Sequence, residues 1–205
     1  LTDKNYTHLL TIVDRSGSMF PVAEDMRGAL DSFFAEQAKL EGRALVDYVQ
    51  FDHNYELVFE DKEVGEAKAQ LTPAGSTALL DAVGKAVTDL GKKLAAKPED
   101  ERPGTVMVIV VTDGYENSST EWKPQDVRDL IKQQEDKYNW QFTFLGANMD
   151  AVAVGANFGF RAETSLTYDT GNTYAMASSL HAHTTRTRVG DFSGYTQDER
   201  DAQGV

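Results

Sequence analysis

The chain contains no cysteine. That absence removes disulfide scaffolds, thiolate metal centres and thiol nucleophiles, and makes the reducing cytoplasm the expected setting. Basic residues are scarce as well: 20 Lys and Arg stand against 33 Asp and Glu, a formal charge of -13. A surface of that sign repels phosphate backbones and anionic headgroups at long range, so neither nucleic acid nor a membrane is an expected partner. Long apolar runs are missing; the longest, such as Val106 to Val111, have strand length, far short of the roughly 20 residues a bilayer requires. The opening LTDKNYTH has no basic n-region and no apolar h-region, so no leader is expected within it. Because the chain opens on Leu1 rather than Met, a leader upstream stays open. Also missing are a Walker loop, a G-x-G-x-x-G turn after the first strand and a nucleophile elbow. These absences weigh against catalysis.

What is present is an alternation of strand and helix patterns in 205 residues, 40% of them hydrophobic, enough for one domain with a two-sided core. Tyr6 to Val13 and Thr105 to Thr112 are nearly continuous apolar runs, expected as adjacent central parallel strands covered on both faces. Val22, Met26, Leu30, Phe33 and Gln37 follow helical spacing and predict a covering helix. ALVDYVQFD and YELVFEDKEV flank the polar turn Asp52-His53-Asn54, which predicts a hairpin and hence one antiparallel edge strand, its edge guarded by Glu60, Asp61, Lys62 and Glu63. Leu79, Val83, Val87, Leu90 and Leu94 define a second helix from about Ala78 to Ala96. Pro124 opens a third, with a strand following from Trp140. A short helix over DAVAVGANFG, a final strand in RAETSLTYD and a last helix from Asn172 to about Arg188 complete the pattern. The expected fold is α/β: a doubly wound, mostly parallel six-stranded sheet with one antiparallel edge strand and helices on both faces, Rossmann-like in its winding. Residues 1–190 are expected to form this domain. Residues 191–205, polar and without apolar periodicity, are expected to be flexible or to dock irregularly, with Phe192 and Tyr195 as the anchors.

In such a sheet, ligands sit beyond the carboxyl ends of the strands. Asp14 follows the first strand directly, within Asp14-Arg15-Ser16-Gly17-Ser18. Asp113 follows the Thr105 to Thr112 strand, and Gly75-Ser76-Thr77 precedes the second helix. Two carboxylates and several hydroxyls are hard ligands, which select Mg²⁺, Mn²⁺ or Ca²⁺ over zinc or copper. The alternation Asp-x-Ser-x-Ser lets a tight loop aim three side chains at one point. Taken singly, each segment is a cap or turn before a helix; the ordered triple is what points to a metal. Arg15 reads as an exposed loop charge and Asn117 as part of a plain loop. His181 and His183, two apart on a helix, face different ways, and His8 and His53 have no ligand-spaced partner.

DRSGS after an apolar strand, GST about sixty residues on and VTDG after another apolar strand resemble the metal-ion-dependent adhesion site of von Willebrand factor A domains. GSTALLDAVGK and FLGANMDA are similar to small stand-alone bacterial or phage members. Residue by residue, the resemblance implies that Asp14, Ser16, Ser18, Thr77 and Asp113 hold a divalent cation, Mg²⁺ first, directly or through water. It also implies a protein-binding module whose partner supplies an exposed Asp or Glu as the last ligand. Two alternatives accompany that reading: an adaptor or regulatory subunit of an AAA-type ATPase or stress-response complex, and a Mg²⁺-dependent phosphohydrolase. The second would need another acid two residues after Asp14, where Ser16 stands.

Overall fold

The computed structural model describes residues 1–205. Its six strands are β1 (Asp3–Asp14), β2 (Arg43–Phe51), β3 (Tyr55–Glu63), β4 (Pro103–Thr112), β5 (Gln141–Ala147) and β6 (Ser165–Tyr168). They form one sheet in the order β3-β2-β1-β4-β5-β6. Only β2 and β3 pair antiparallel, through the hairpin at Asp52 to Asn54. The two long apolar runs lie side by side in parallel, with Leu9 opposite Met107 and Val13 opposite Val111. Reversal of winding on either side of β1 creates the switch point at the carboxyl ends of β1 and β4.

Continuous apolar character in β1 and β4 conceals a strict division of labour. Leu9, Val13, Met107, Ile109 and Val111 face a layer made by α1 (Ala23–Ala38) and α5 (Thr173–Arg188). Leu10, Ile12, Val106, Val108 and Val110 face the opposite layer, made by α2 (Leu79–Ala95), α3 (Pro124–Tyr138) and α4 (Ala151–Asn157). Successive side chains of a strand point to opposite faces, so a run apolar at every position is one that needs cover on both sides. α2 carries its apolar stripe through Leu79, Val83, Val87, Leu90 and Leu94, all buried. Trp122 lies flat against this helix at Gly84, where any Cβ would collide with the indole. Val22 sits in a 3₁₀ turn, Gly17–Val22, that precedes α1; Pro21 lies inside that turn, and the α-helical segment begins only at Ala23. No helix is long and apolar enough to cross a membrane.

Residues 191–205 run back along α5 and end in α6 (Gln197–Asp201), a single turn. A capping box closes it: the Thr196 hydroxyl accepts from Glu199 N and the Glu199 carboxylate accepts from Thr196 N, both at 3.1 Å. Tyr195 is buried, its ring 4.4 Å from that of His183 and its hydroxyl 2.7 Å from Thr143 Oγ1. Glu199 pairs with Arg186, and Gln203 Nε2 donates to Ser179 Oγ at 2.9 Å. Phe192 is only half-buried. A turn held by its cap and by one aromatic has no periodicity for a sequence pattern to reveal.

Candidate metal centre

The three oxygen-bearing segments meet at the switch point. Asp14 ends β1 and is fully buried. Its Oδ1 accepts from Ser16 N at 2.6 Å, which bends the chain back so that Ser16 and Ser18 face the same space; their hydroxyl oxygens lie 3.1 Å apart. Its Oδ2 accepts from the Thr112 hydroxyl at 2.7 Å, tying the ends of β1 and β4 together. Ser18 Oγ donates to Asp113 Oδ1 at 2.8 Å. Thr77 joins from the other side. A Cβ placed on Gly114 would sit 3.3 Å from Thr77 Oγ1, 3.7 Å from Asp14 Oδ2 and 3.8 Å from Ser16 Oγ. The three oxygens therefore ring one point, and Gly114 leaves it clear.

Backbone bonds hold the segments in that register. Arg15 N donates to Phe51 O at 2.7 Å, Gly17 N to Gly75 O at 3.1 Å, and Ala74 N to Arg15 O at 2.8 Å. Gly75 has a φ of 66°, and its α-carbon lies so close to the His53 ring that a side chain would be excluded. α2 has Ala78 at its N-cap and no side-chain cap of its own. The loop after Asp113 supplies the missing acceptors instead: Asn117 Oδ1 takes Thr77 N at 2.9 Å, Glu116 Oε2 takes Leu80 N at 2.9 Å and Ser119 Oγ takes Asp81 N at 3.0 Å. Asp81 reciprocates, its carboxylate accepting from the backbone of Thr120, Glu121 and Trp122. Asn117, expected in a plain loop, thus fixes the backbone that carries Thr77. The signal for it was the uncapped start of α2, whose sequence offers no Ser, Thr, Asn or Asp at Ala78.

Electrostatics give the site its chemical sense. Burial raises the Asp14 carboxyl above its ordinary value against the hydrogen bonds from Thr112 and Ser16. Burial also raises Asp113, helped by the nearby Asp14 charge. No Lys or Arg pairs with either acid. Arg15 turns away, its guanidinium 2.6 Å from Glu56 and 3.5 Å from Asp52 and its side chain 15% exposed, so the expectation of a free loop charge is corrected. Glu56 and Asp52 belong to the neighbouring hairpin, which brings them to Arg15 across the sheet edge. Two carboxylates and three hydroxyls without a counter-charge fit a hard divalent cation. Adjacent oxygens around an octahedral ion with ligands at 2.0–2.1 Å lie about 2.9 Å apart, close to the 2.8 Å and 3.1 Å edges formed here by Ser18 with Asp113 and with Ser16.

Among the histidines, His8 is not isolated in space. Its Nε2 lies 3.0 Å from Asp47 Oδ1, off the line of a hydrogen bond, and its Nδ1 lies 2.7 Å from the Tyr6 hydroxyl. His8, Asp47 and Asp61 bring ligand atoms within 4.8 Å of one another. The cation there is Lys93, whose Nζ is 2.8 Å from Asp47 and 3.0 Å from Asp61. Burial pushes Asp47 up, but the His8 ring and Lys93 outweigh it and hold its carboxyl at about 2. This cluster is an ion-pair network that clamps α2 onto the hairpin.

Strand order, switch point and helix layers together define the von Willebrand factor A fold, and solved structures bear the likeness out. Proximal thread matrix protein 1 from the mussel byssus, with a zinc-occupied metal-ion-dependent adhesion site, superposes with a TM-score of 0.58 at 13% identity, over 88% of this chain and 46% of that one. A von Willebrand factor type A protein from Catenulispora acidiphila gives 0.57 at 19% identity, over 86% and 42%. The von Willebrand factor domain of a type V pilus tip protein from Porphyromonas gingivalis gives 0.61 at 11% identity, over 94% and 98%. The chain spans about half the length of the first two. No family model and no curated protein sequence matches it.

Proposed function

We propose that this protein is a divalent-cation-dependent protein-binding module that captures a carboxylate of its partner. The observation that carries the reading is the convergence of five oxygen-bearing side chains from three distant segments around two acids that lack any protein counter-charge. Asp14 and Asp113 would neutralise the ion, while Ser16, Ser18 and Thr77 would orient it without adding charge. When bound, the cation, Mg²⁺ by preference, supplies an electropositive position that accepts one further carboxylate oxygen. Two exposed aromatics lie close in sequence to the ligand residues, Phe20 two residues beyond Ser18 and Tyr115 two beyond Asp113, 77% and 63% exposed. They offer a partner apolar contact around its Asp or Glu. The pilus and byssus proteins sharing the fold support a binding role, and the arrangement requires no chemistry.

The test is calorimetric titration of metal-stripped protein with Mg²⁺ and Mn²⁺. One site is expected, lost in Asp14→Asn. That variant removes the charge and keeps an acceptor for Ser16 N; its new amide group cannot accept from Thr112, but the Thr112 hydroxyl retains Gly114 O at 3.1 Å as an acceptor, whereas Ala would strand the Ser16 amide. A dissociation constant of about 0.1 mM would let 1 mM Mg²⁺ stabilise the fold by roughly 1.4 kcal/mol. No heat on folded wild-type protein defeats the proposal. A native partner recovered with Mg²⁺ should be released by EDTA; equal recovery in both would place its binding surface elsewhere.

A further inference from the structure

His8, Asp47 and Asp61 come from three neighbouring strands, β1, β2 and β3, and bring their ligand atoms within 4.8 Å of one another on the face covered by α2. A slip in register builds the group. Val46 stands opposite Lys62 and Tyr48 opposite Phe59, so Asp47 is opposed by two residues, Glu60 and Asp61. Such a bulge re-aims a side chain. Asp61 sits there at a φ of 51°, a left-handed conformation that an aspartate adopts at a cost, and its carboxylate turns toward Lys93 and Asp47.

The ion pairing within the cluster leaves two needs unmet. His8 is fully buried, and its Nε2 has no hydrogen-bond partner although it lies 3.0 Å from Asp47 Oδ1. A buried ring nitrogen with nothing to engage it is costly. The charge is also unbalanced: Asp47, Glu60 and Asp61 share one ammonium, Lys93 Nζ, at 2.8, 3.4 and 3.0 Å. That ammonium, rather than backbone, is what lies between the acids. The Lys93 side chain is 22% exposed, so its flexible stem can withdraw into solvent and free the oxygens it holds.

We propose that His8, Asp47 and Asp61 form a second cation site, of the zinc class, whose place Lys93 takes in the metal-free chain. One imidazole with two carboxylates moves the preference from Mg²⁺ toward Zn²⁺. Bonds of about 2.0–2.2 Å to a tetrahedral ion put ligand atoms about 3.4 Å apart, between the 3.0 Å from His8 to Asp47 and the 4.8 Å span of the group. With Nε2 on the ion, Nδ1–H would donate to the Tyr6 hydroxyl oxygen at 2.7 Å, the outer bond that fixes a metal-bound imidazole. A bound ion would tie the edge strand β3 to the centre of the sheet. His8 precedes Asp14 by six residues of β1, about 20 Å of strand, so this site is independent of the metal-dependent reading above.

The experiment is calorimetric titration of the intact Asp14→Asn chain with Zn²⁺ in excess Mg²⁺, which keeps the switch-point oxygens out of the measurement. One site is expected, with a Kd below about 10 μM, weaker than four-ligand structural zinc because Lys93 must be displaced. Adding His8→Gln should weaken binding about tenfold or more. Asp61→Asn should do the same and keep the fold, since Asn tolerates the left-handed conformation. Lys93→Met should act the other way and tighten Zn²⁺ about tenfold, because no ammonium then competes for the oxygens. A cluster that served only as an ion-pair network would show no such gain. Absence of zinc binding by folded Asp14→Asn, equal binding after His8→Gln, or no gain from Lys93→Met overturns the proposal. Should His8→Gln fail to fold, Asp61→Asn and Lys93→Met decide it. Failure of the wild type to bind Mg²⁺ would defeat the switch-point reading and leave this result untouched.

Discussion

Asn117 shows how much of the candidate site depends on a residue outside its ring of oxygens. Its side-chain oxygen is the acceptor for Thr77 N, and its own backbone N–H donates to Thr77 O at 3.0 Å, so the two loops hold one another by both edges. Asn117→Ala leaves the Thr77 amide unpaired in a buried setting, which should cost about 1–2 kcal/mol in urea unfolding. It should also weaken Mg²⁺ binding about tenfold, as loss of a ligand-orienting neighbour does elsewhere. Unchanged affinity would mean that Thr77 is held by the start of α2 alone. The oxygens themselves were legible in the sequence because each stands directly after an apolar run or before a helical one. Their supports were not: Asn117 reaches Thr77 across 40 residues, and Arg15 reaches Glu56 across 41. Only the folded hairpin and loop bring these partners together.

Elements differed in the same way. α2, α3, β1 and β4 could be read from sequence because burial on one stripe or on both faces leaves a period in the chain. The last fifteen residues leave none, since their docking rests on Tyr195, Gln203 and the Arg186–Glu199 pair. We expect Tyr195→Ala to cost about 3–5 kcal/mol, the usual loss for truncating a buried aromatic. A thermal melt unchanged by this substitution, or by deletion of residues 191–205, would return that segment to the status of a flexible end. α5 beneath it carries a pH dependence. His183 is buried against the Tyr195 ring with Nδ1 unpartnered, among Arg186, Glu199, Asp191 and Arg200. Burial foremost, then Arg186, depresses its pKa to about 4. An unfolded histidine takes up its proton near 6.5, so between those values the unfolded chain binds more protons and stability falls as pH falls. The full loss is roughly 3 kcal/mol by pH 4. Burial raises Asp14 and Asp113, which in metal-free protein act with the opposite sign. The comparison of wild type with His183→Phe isolates the histidine: the variant should lose less stability between pH 6.5 and 4, and parallel profiles would refute the assignment.

On the scale of the whole molecule, the proposed metal centre, once loaded with its cation, would be a local exception to a strongly acidic field. A chain of net charge -13 repels an acidic partner at long range, while the proposed cation attracts its carboxylate only at contact. The two effects respond differently to salt. The Debye length falls from about 30 Å at 0.01 M ionic strength to about 8 Å at 0.15 M, which screens charges spread over the surface far more than a carboxylate on an ion at the switch point. Raising salt over that range should therefore speed association of an acidic partner and leave dissociation nearly unchanged, the reverse of an encounter steered by opposite charges. Stopped-flow or surface-based kinetics in constant 1 mM Mg²⁺ can read this, with Asp14→Asn as the control that removes binding at every salt concentration. If association slows as salt rises, the partner presents a basic surface to this chain. Long-range attraction would then bring the two together, and the metal-bound carboxylate would have only the smaller part of fixing their register.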